Sequence, residues 1–369
     1  MKNFAFRADA SLHIGTGHVM RCLTLADSLR AKGHQCHFIC REHPGHLVRK
    51  IQELGFAVHI LPAEPSPATV LIPATYAQWL GADWPTDAQQ TSDLIQALHL
   101  DWLITDHYAL DRDWEQFIQR QHPHLNLMVI DDLANRHHQC HMLLDQNLGR
   151  QASDYGPWVG TECKVFAGAD YVMMRSEFTR LRPYSLARRA TSQLQNILIS
   201  MGGIDNDDAT SLVLRTLQVT PLPASTQITV VMGGGAPHID RVKAVAAHMP
   251  YATRVVVNAS NMAQLMADSD LAIGATGSTS WERCHMGLPT LMVVLAANQQ
   301  PACQALERQQ AALSIGQLAD IGQRLPDLIQ GLFQQPQTLK HLSDHAANLC
   351  NNAGYQQIID QLLTSPNDY

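Results

Sequence analysis

The sequence predicts an α/β protein built of two parallel-sheet domains. Three observations carry this. Short apolar runs alternate with helix-period stretches from residue 1 to about 180. The same alternation starts afresh at Asn196, after a stretch with neither pattern. A chain of 369 residues also suits two cores of ordinary size better than one.

In the first half, strands are expected at Asn3–Arg7, Cys36–Cys40, Ala57–Leu61, Trp102–Thr105, Asn126–Ile130 and Met142–Leu144. Helical patterns lie between most of them, notably His18–Lys32, Thr91–Leu98 and Trp114–Arg120. Strands alternating with helices imply a parallel sheet with crossovers. The stretch Pro62 to Trp84 interrupts this rhythm with Pro62, Pro65, Pro67 and Pro73, and reads as an excursion or lid without Lys or Arg. Arg180–Gln195 carries Arg180, Arg182, Arg188, Arg189 and Pro183 without clear periodicity. It reads as a linker over 181–195, between an N-terminal domain of residues 1–180 and a C-terminal domain of residues 196–350.

In the second half, strands are expected at Asn196–Met201, Gln227–Met232, Thr253–Val257, Leu271–Gly274 and Thr290–Leu295. Helices start near Asp207, Pro237, Met262 and Ser278. His341–Cys350 and Tyr355–Leu363 also read as helical, the latter within a C-terminal segment 351–369. No short-period repeat suggests a solenoid.

Composition narrows the function. Hydrophobic content is 46%, enough for packed cores, and the net charge of −7 argues against a nucleic-acid partner. The longest apolar run, Leu291 to Ala297, is too short to span a bilayer, so no membrane insertion is expected. No basic segment precedes an apolar stretch at the N-terminus, and the eight cysteines form no C-x-x-C pair. These features predict a cytoplasmic protein with reduced thiols.

The chemistry starts at Ile14–Cys22, I-G-T-G-H-V-M-R-C, which follows the first strand. Gly15 and Gly17 form the turn, and Val19, Cys22, Leu23, Ala26 and Leu29 mark one helix face. His18 falls in the first turn of that helix, at the carboxyl end of the strand, where ligands bind in open α/β sheets. An imidazole there can take a proton from water. The stretch is not a dinucleotide fingerprint, since Met20 stands at the third glycine, and no Gly-Lys-Ser/Thr makes it a P-loop. A polar surface histidine is the plain alternative.

The second half has three glycine-rich strand ends: Gly202-Gly203, Gly233-Gly234-Gly235 and Gly274-Ala275-Thr276-Gly277-Ser278. Each alone is a tight turn, but three on one sheet edge predict a diphosphate site. Glu282, one turn into the next helix, suits two vicinal ribose hydroxyls, unless it is a helix-surface glutamate. Asn258 and Ala259 follow a strand where backbone groups can read a pyrimidine edge; Asn298 and Gln299 follow the last strand. The D-x-D spacings at Asp111–Asp113, Asp205–Asp207 and Asp268–Asp270 read as caps and turns, and His137-His138-Gln139-Cys140-His141 matches no standard zinc spacing.

I-G-T-G-H-V-M-R-C (14–22), D-H-Y (106–108), I-D-D-L-A (130–134), L-L-D-Q-N (143–147), A-G-A-D-Y (167–171), M-G-G-I-D (201–205) and A-A-N-Q (296–299) occur in this order. Together they resemble the UDP-2,4-diacetamido-2,4,6-trideoxy-β-L-altropyranose hydrolases of pseudaminic acid synthesis, across nearly the whole chain. The C-terminal half is also similar to UDP-GlcNAc transferases of peptidoglycan synthesis. The resemblance implies a glycosyltransferase-B fold of two Rossmann-type domains facing a cleft, with the last helix crossing back onto the N-terminal domain. It implies UDP held by Gly202, Gly203, Asn258, Ala259, Met262, Thr276, Gly277, Ser278 and Glu282. The sugar is assigned to Gly15, Gly17, Arg21, Asp106, Tyr108, Asn298 and Gln299, with His18 as base. His107 is a further candidate to hold sugar or water, and a helix cap is an equal alternative for Asp106. The implied reaction is hydrolysis with inversion, without metal or other cofactor, by a monomer whose partner is a small nucleotide-sugar and whose product feeds surface glycans such as those of flagellin or capsule. A glycosyltransferase with another acceptor and a non-catalytic sugar-nucleotide binder are the alternatives.

Overall fold

The computed structural model describes residues 1–11, 13–62, 76–191, 193–277 and 279–364. The chain divides into two units: Met1–Met173 together with the segment from Asn352 onward, and Met174–Asn351.

The first unit runs β1 (Asn3–Ala8), α1 (Gly17–Ala31), β2 (Gln35–Arg41), α2 (Val48–Glu53), β3 (Ala57–Leu61), α3 (Trp84–Leu98), β4 (Trp102–Asp106), α4 (Arg112–Gln121), β5 (Asn126–Ile130), β6 (Met142–Asp145) and β7 (Lys164–Ala167). The strands form one parallel sheet in the order β3-β2-β1-β4-β5-β6-β7. Both faces are covered, so β1, β4 and β5 are apolar throughout most of their length rather than alternating. Phe4, Phe6 and Ile104 pack on the α1 side with Cys22, Leu25 and Leu29. Ala5, Leu103 and Val129 pack on the other side with Ile95, Trp114 and Ile118. The strand order reverses between β1 and β4, and Ala8 pairs with Asp106 there. This is the topological switch point, where open sheets place their ligands.

The second unit begins with α5 (Ser176–Arg189), then β8 (Asn196–Ser200), α6 (Ala209–Val219), β9 (Gln227–Met232), α7 (Ile239–Ala246), β10 (Ala252–Val257), α8 (Met262–Ala267), β11 (Leu271–Ala275), α9 (Thr279–His285), β12 (Thr290–Val294), α10 (Gln300–Arg308), β13 (Leu313–Gln317), α11 (Ile321–Gln334) and α12 (Pro336–Leu349). Its parallel sheet has the order β10-β9-β8-β11-β12-β13, with its own switch point between β8 and β11. One core joins Ile197, Ile199, Val230, Ile273 and Val293 to the helices beside them.

After α12 the chain enters α13 (Ala353–Leu363), which packs in the first unit. Tyr355, Ile358, Ile359 and Leu362 join the α1 side of that core, and the Tyr355 hydroxyl donates to Ser28 Oγ at 2.8 Å. Gly354 lies against the Tyr171 ring so closely that a Cβ would overlap it.

Several expectations need correction. Residues 181–195 are not a linker, because α5 occupies most of them. Its inward face is Phe178, Arg182, Ser185 and Arg189, spaced for one helix stripe but mostly polar. Arg189 is buried and donates to the carbonyls of Ser185, Met266, Ser269 and Met286. Arg182 donates to carbonyls of His285, Ala347 and Cys350. These arginines satisfy carbonyls at helix ends that would otherwise lack partners. Within Pro62–Trp84, residues 63–75 lie outside the described residues, Tyr76–Leu80 forms a 3-10 turn, and Trp84 opens α3. The Asp83 side chain accepts the Thr86 N–H at 2.8 Å, with Pro85 next to the helix start, so α3 begins seven residues before the predicted Thr91. The elements α2, β7, α10, β13 and α11 were not anticipated.

Candidate active site

His18 projects from the first turn of α1, and Gly15 bends the chain into that turn with φ +80°. Gly17 has open space around it and no such constraint. The His18 ring is 7% exposed. Its Nδ1 lies 2.6 Å from Oδ1 of Asp106, the last residue of β4. The other Asp106 oxygen binds Arg21 Nε, and Arg21 Nη2 reaches Oδ1 at 2.7 Å. Arg21 stands one helical turn after His18, so the same face of α1 delivers both groups to one carboxylate.

Burial would raise the Asp106 carboxyl, but the charges of Arg21 and His18 outweigh it and hold the group well below the usual carboxylate range. A carboxylate at Nδ1 keeps the proton on that nitrogen, leaving Nε2 with its lone pair. Among the described residues, no protein group bonds Nε2. The arrangement can therefore accept a proton at Nε2.

Asp132 completes the cluster and was not singled out from the sequence. It receives Arg21 Nη1 at 2.7 and 2.9 Å, the Tyr108 hydroxyl at 2.7 Å and Asn147 Nδ2 at 3.0 Å. Its only sequence signal is its place in I-D-D-L-A, just beyond β5. Behind it the Tyr155 hydroxyl lies within 3.0 Å of both Asp131 and Asp145, and burial raises Asp145 to about 6.

The other first-unit assignments sort as follows. Asp106 caps no helix, since α4 is capped by Asp111, and its oxygens are taken by His18 and Arg21. His107 turns away: it is buried with Nε2 3.5 Å from Asp9, and burial lowers it to about 4. Tyr108 presents its ring, T-shaped to His18 at 4.6 Å, because its hydroxyl is committed to Asp132.

In the second unit the three glycine turns stand at the carboxyl ends of β9, β8 and β11, which are neighbours. Gly202 has φ +95°. A Cβ at Gly233 would overlap the Gly203 carbonyl, so the first two turns touch through bare backbone. Asn258, itself at φ +55°, accepts the Gly234 N–H at 2.5 Å. Its side chain thus braces a turn, and Ala259 and Met262 follow at the start of α8. The α6 N-terminus is not open to a phosphate, because the Asp205 carboxylate takes the N–H groups of Ala209 and Thr210 at 2.9 and 3.0 Å. Thr276 is buried, and the Gly277 N–H donates to Ser280 Oγ at 3.2 Å. Ser278 and the side chain of Asn298 lie outside the described residues. Gln299 Oε1 accepts the Leu295 N–H at 2.9 Å and closes its own loop. Glu282 is neither free nor on the helix surface: it receives Arg175 Nη2 at 2.8 Å, and burial raises it above the ordinary range against the pull of that cation.

The predicted decoys have ordinary structural work. Asp111 and Asp205 are caps, and Asp270 receives Arg188 and the N–H groups of Gln195 and Asn196. His138 pairs with Glu115 at 2.7 Å, His141 accepts the Leu127 N–H, and His137 packs on Trp158, so the three rings do not converge. Among the described residues, no helix is long and apolar enough to cross a membrane.

Comparison with known proteins agrees with this architecture. Residues 196–362 match the glycosyltransferase family 28 C-terminal domain. The chain is similar to the UDP-2,4-diacetamido-2,4,6-trideoxy-beta-L-altropyranose hydrolase of Campylobacter jejuni, at 26% identity over 83% of this chain and 93% of that one. It is 26% identical, over 55% of its own length, to the spore coat polysaccharide biosynthesis protein SpsG of Bacillus subtilis, of which it spans 56%. MurG of Acinetobacter baumannii superposes with a TM-score of 0.68 at 15% identity, over 98% of this chain and 99% of that one. The fold is of the glycosyltransferase-B type, and the resemblance carried by the sequence motifs stands.

Proposed function

We propose that the protein is an enzyme acting on UDP-sugars, and specifically that it hydrolyses a UDP-linked 2,4-diacetamido-2,4,6-trideoxy hexose to UDP and the free sugar. The single observation that carries the hydrolytic reading is the His18–Asp106 pair, with Nε2 left as the acceptor. His18 Nε2 takes a proton from a water, whose oxygen forms a bond to the anomeric carbon. The bond from that carbon to the diphosphate oxygen breaks, and UDP leaves with the electron pair. Attack opposite the leaving group inverts the centre. Asp106 fixes the imidazole and steadies the imidazolium that forms, while Arg21 holds the carboxylate in place.

The three adjacent glycine turns of the second unit support a nucleotide diphosphate there, since bare backbone allows close approach. The second carboxylate oxygen of Glu282, beside the one held by Arg175, suits the ribose hydroxyls and the loop at Asn258–Ala259 the uracil edge; in this reading no metal takes part, and the enzyme works as a cytoplasmic monomer in the synthesis of surface-glycan sugars. The likeness to the Campylobacter jejuni hydrolase supports the substrate class. The match to a glycosyltransferase domain favours a second reading, transfer of the sugar to another acceptor.

UDP release from UDP-2,4-diacetamido-2,4,6-trideoxy-β-L-altropyranose, in EDTA and without acceptor, separates them. The wild type should release UDP with an inverted product, and His18→Ala should bind UDP without releasing it. Tight UDP binding without turnover by the wild type would remove the hydrolase reading and send the search to acceptors.

A further inference from the structure

Trp79 stands beside the His18–Asp106 pair and takes no part in the chemistry above. It lies on the 3-10 turn Tyr76–Leu80, half-buried, with its ring centre 6.4 Å from that of His18. Tyr108 stacks on it at 5.8 Å with 29° between the planes. Tyr76 meets Trp79 and Tyr108 edge-on at 4.9 and 5.0 Å. The three rings make one aromatic patch that ends at the imidazole.

The patch is apolar on its ring faces, and its polar groups are the Trp79 indole N–H and the Tyr76 and Tyr108 hydroxyls. The Tyr108 hydroxyl donates to Asp132 at 2.7 Å, and its ring meets that of His18 at 86°. Leu80 is buried and anchors the turn, whereas Tyr76 remains 42% exposed. A core contact would have buried these rings; here they stay at the surface next to a base. Aromatic surfaces of this kind hold C–H edges and methyl groups, and a hydroxyl set against them loses its water without a replacement.

We propose that Trp79, backed by Tyr108 and flanked by Tyr76, is the sugar-selecting wall of the site. It packs on the methyl and acetamido-methyl groups of a trideoxy diacetamido hexose, and so favours that sugar over a hexose bearing a 6-hydroxyl. The inference rests on the nucleotide-sugar reading given above, and it adds a specificity residue to it.

The test compares wild type, Trp79→Phe, Trp79→Leu and Trp79→Ala. Calorimetry, with each carried on His18→Ala so that the substrate is not consumed, gives the Kd for UDP-2,4-diacetamido-2,4,6-trideoxy-β-L-altropyranose, for UDP-GlcNAc and for UDP alone. The wild type should prefer the trideoxy sugar by about 100-fold, the scale of a hydroxyl discriminated by an apolar wall. Trp79→Ala should cut that ratio about tenfold and leave the Kd for UDP unchanged, while Trp79→Phe keeps the ratio within about threefold. In turnover, Trp79→Ala should raise KM about tenfold with kcat nearly intact. An unchanged Kd ratio, or a loss confined to kcat, would show that Trp79 only supports His18 and overturn the proposal. Trp79→Leu decides in the same way if the alanine variant does not fold. If the wild type binds both sugars without turning either over, the hydrolase reading fails while the Kd ratio still judges the wall.

Discussion

Asp106 reaches His18 Nδ1 at 2.6 Å from the end of β4, and with its second oxygen it holds the guanidinium of Arg21. The carboxylate therefore does two jobs at once. It fixes the tautomer of the imidazole, and it neutralises a buried cation three residues further along the same helix.

Asp106→Asn separates these jobs from mere size. An amide nitrogen facing Nδ1 favours the tautomer with the proton on Nε2, which has no lone pair for water. We expect kcat for UDP release to fall about 10³-fold with KM within about threefold, as for triads that lose their orienting carboxylate. A fall smaller than tenfold would mean that His18 is not the base.

Gly233→Ala places a methyl on the Gly203 carbonyl, whereas Gly235→Ala meets nothing within 4 Å. The first should cost about 1–3 kcal/mol of stability through forced backbone shifts. It should also weaken UDP binding at least tenfold. The second should do neither. Thermal melts and UDP titration of the pair read both effects, and equal behaviour of the two variants would remove the glycine turns from the nucleotide site.

Acid should destabilise both units. Burial lowers His107, in the first unit, and His285, in the second, to about 4. An unfolded histidine titrates near 6.5, so between these values the unfolded chain takes up protons that the folded chain refuses. Stability is complete above about pH 6.5 and falls as pH drops toward 4, by about 2 kcal/mol for each histidine at pH 5. Urea unfolding at pH 7.5 and 5.0 measures the slope. His285 Nδ1 lies 3.0 Å from the Cys350 carbonyl and its buried Nε2 has no hydrogen bond, so His285→Gln should flatten the slope of the second unit. An unchanged slope would assign the acid sensitivity elsewhere.

Ile358→Ala removes a fully buried side chain of α13 from the first unit's core. The expected loss is about 2–5 kcal/mol, seen as a lower Tm for the transition of that unit. The second unit's transition should stay in place. A shift of both by the same amount would show that they unfold together.

Most strands were legible because each is a short apolar run between polar turns, and parallel sheets bury both faces. β7 and β13 were not: Lys164–Ala167 has four residues at a sheet edge, and Leu313–Gln317 contains Ser314 and Gly316. The linker error is more instructive. Hydrophobic periodicity looks for carbon, and the inward stripe of α5 is built from guanidinium groups that bond to carbonyls. The spacing of Phe178, Arg182, Ser185 and Arg189 is helical once polar residues are allowed inside. The site divides in the same manner. His18 announces itself by its glycine turn, and Asp106 by its place after a strand. Asp132 and Trp79 have little local signature, since their contacts reach neighbours as far as 111 residues away that only folding brings together.

The position of α13 has a consequence for synthesis on the ribosome. Residues 174–351 are one uninterrupted stretch, and that unit can close its core as soon as the stretch has emerged. The first unit is made earlier but completed later, because Tyr355, Ile358, Ile359 and Leu362 fill a face of its core. Until they arrive, the α1 side of its sheet stays partly uncovered. The half of the protein that carries His18 is therefore the last to mature, and an unfinished chain holds that histidine on an incomplete scaffold.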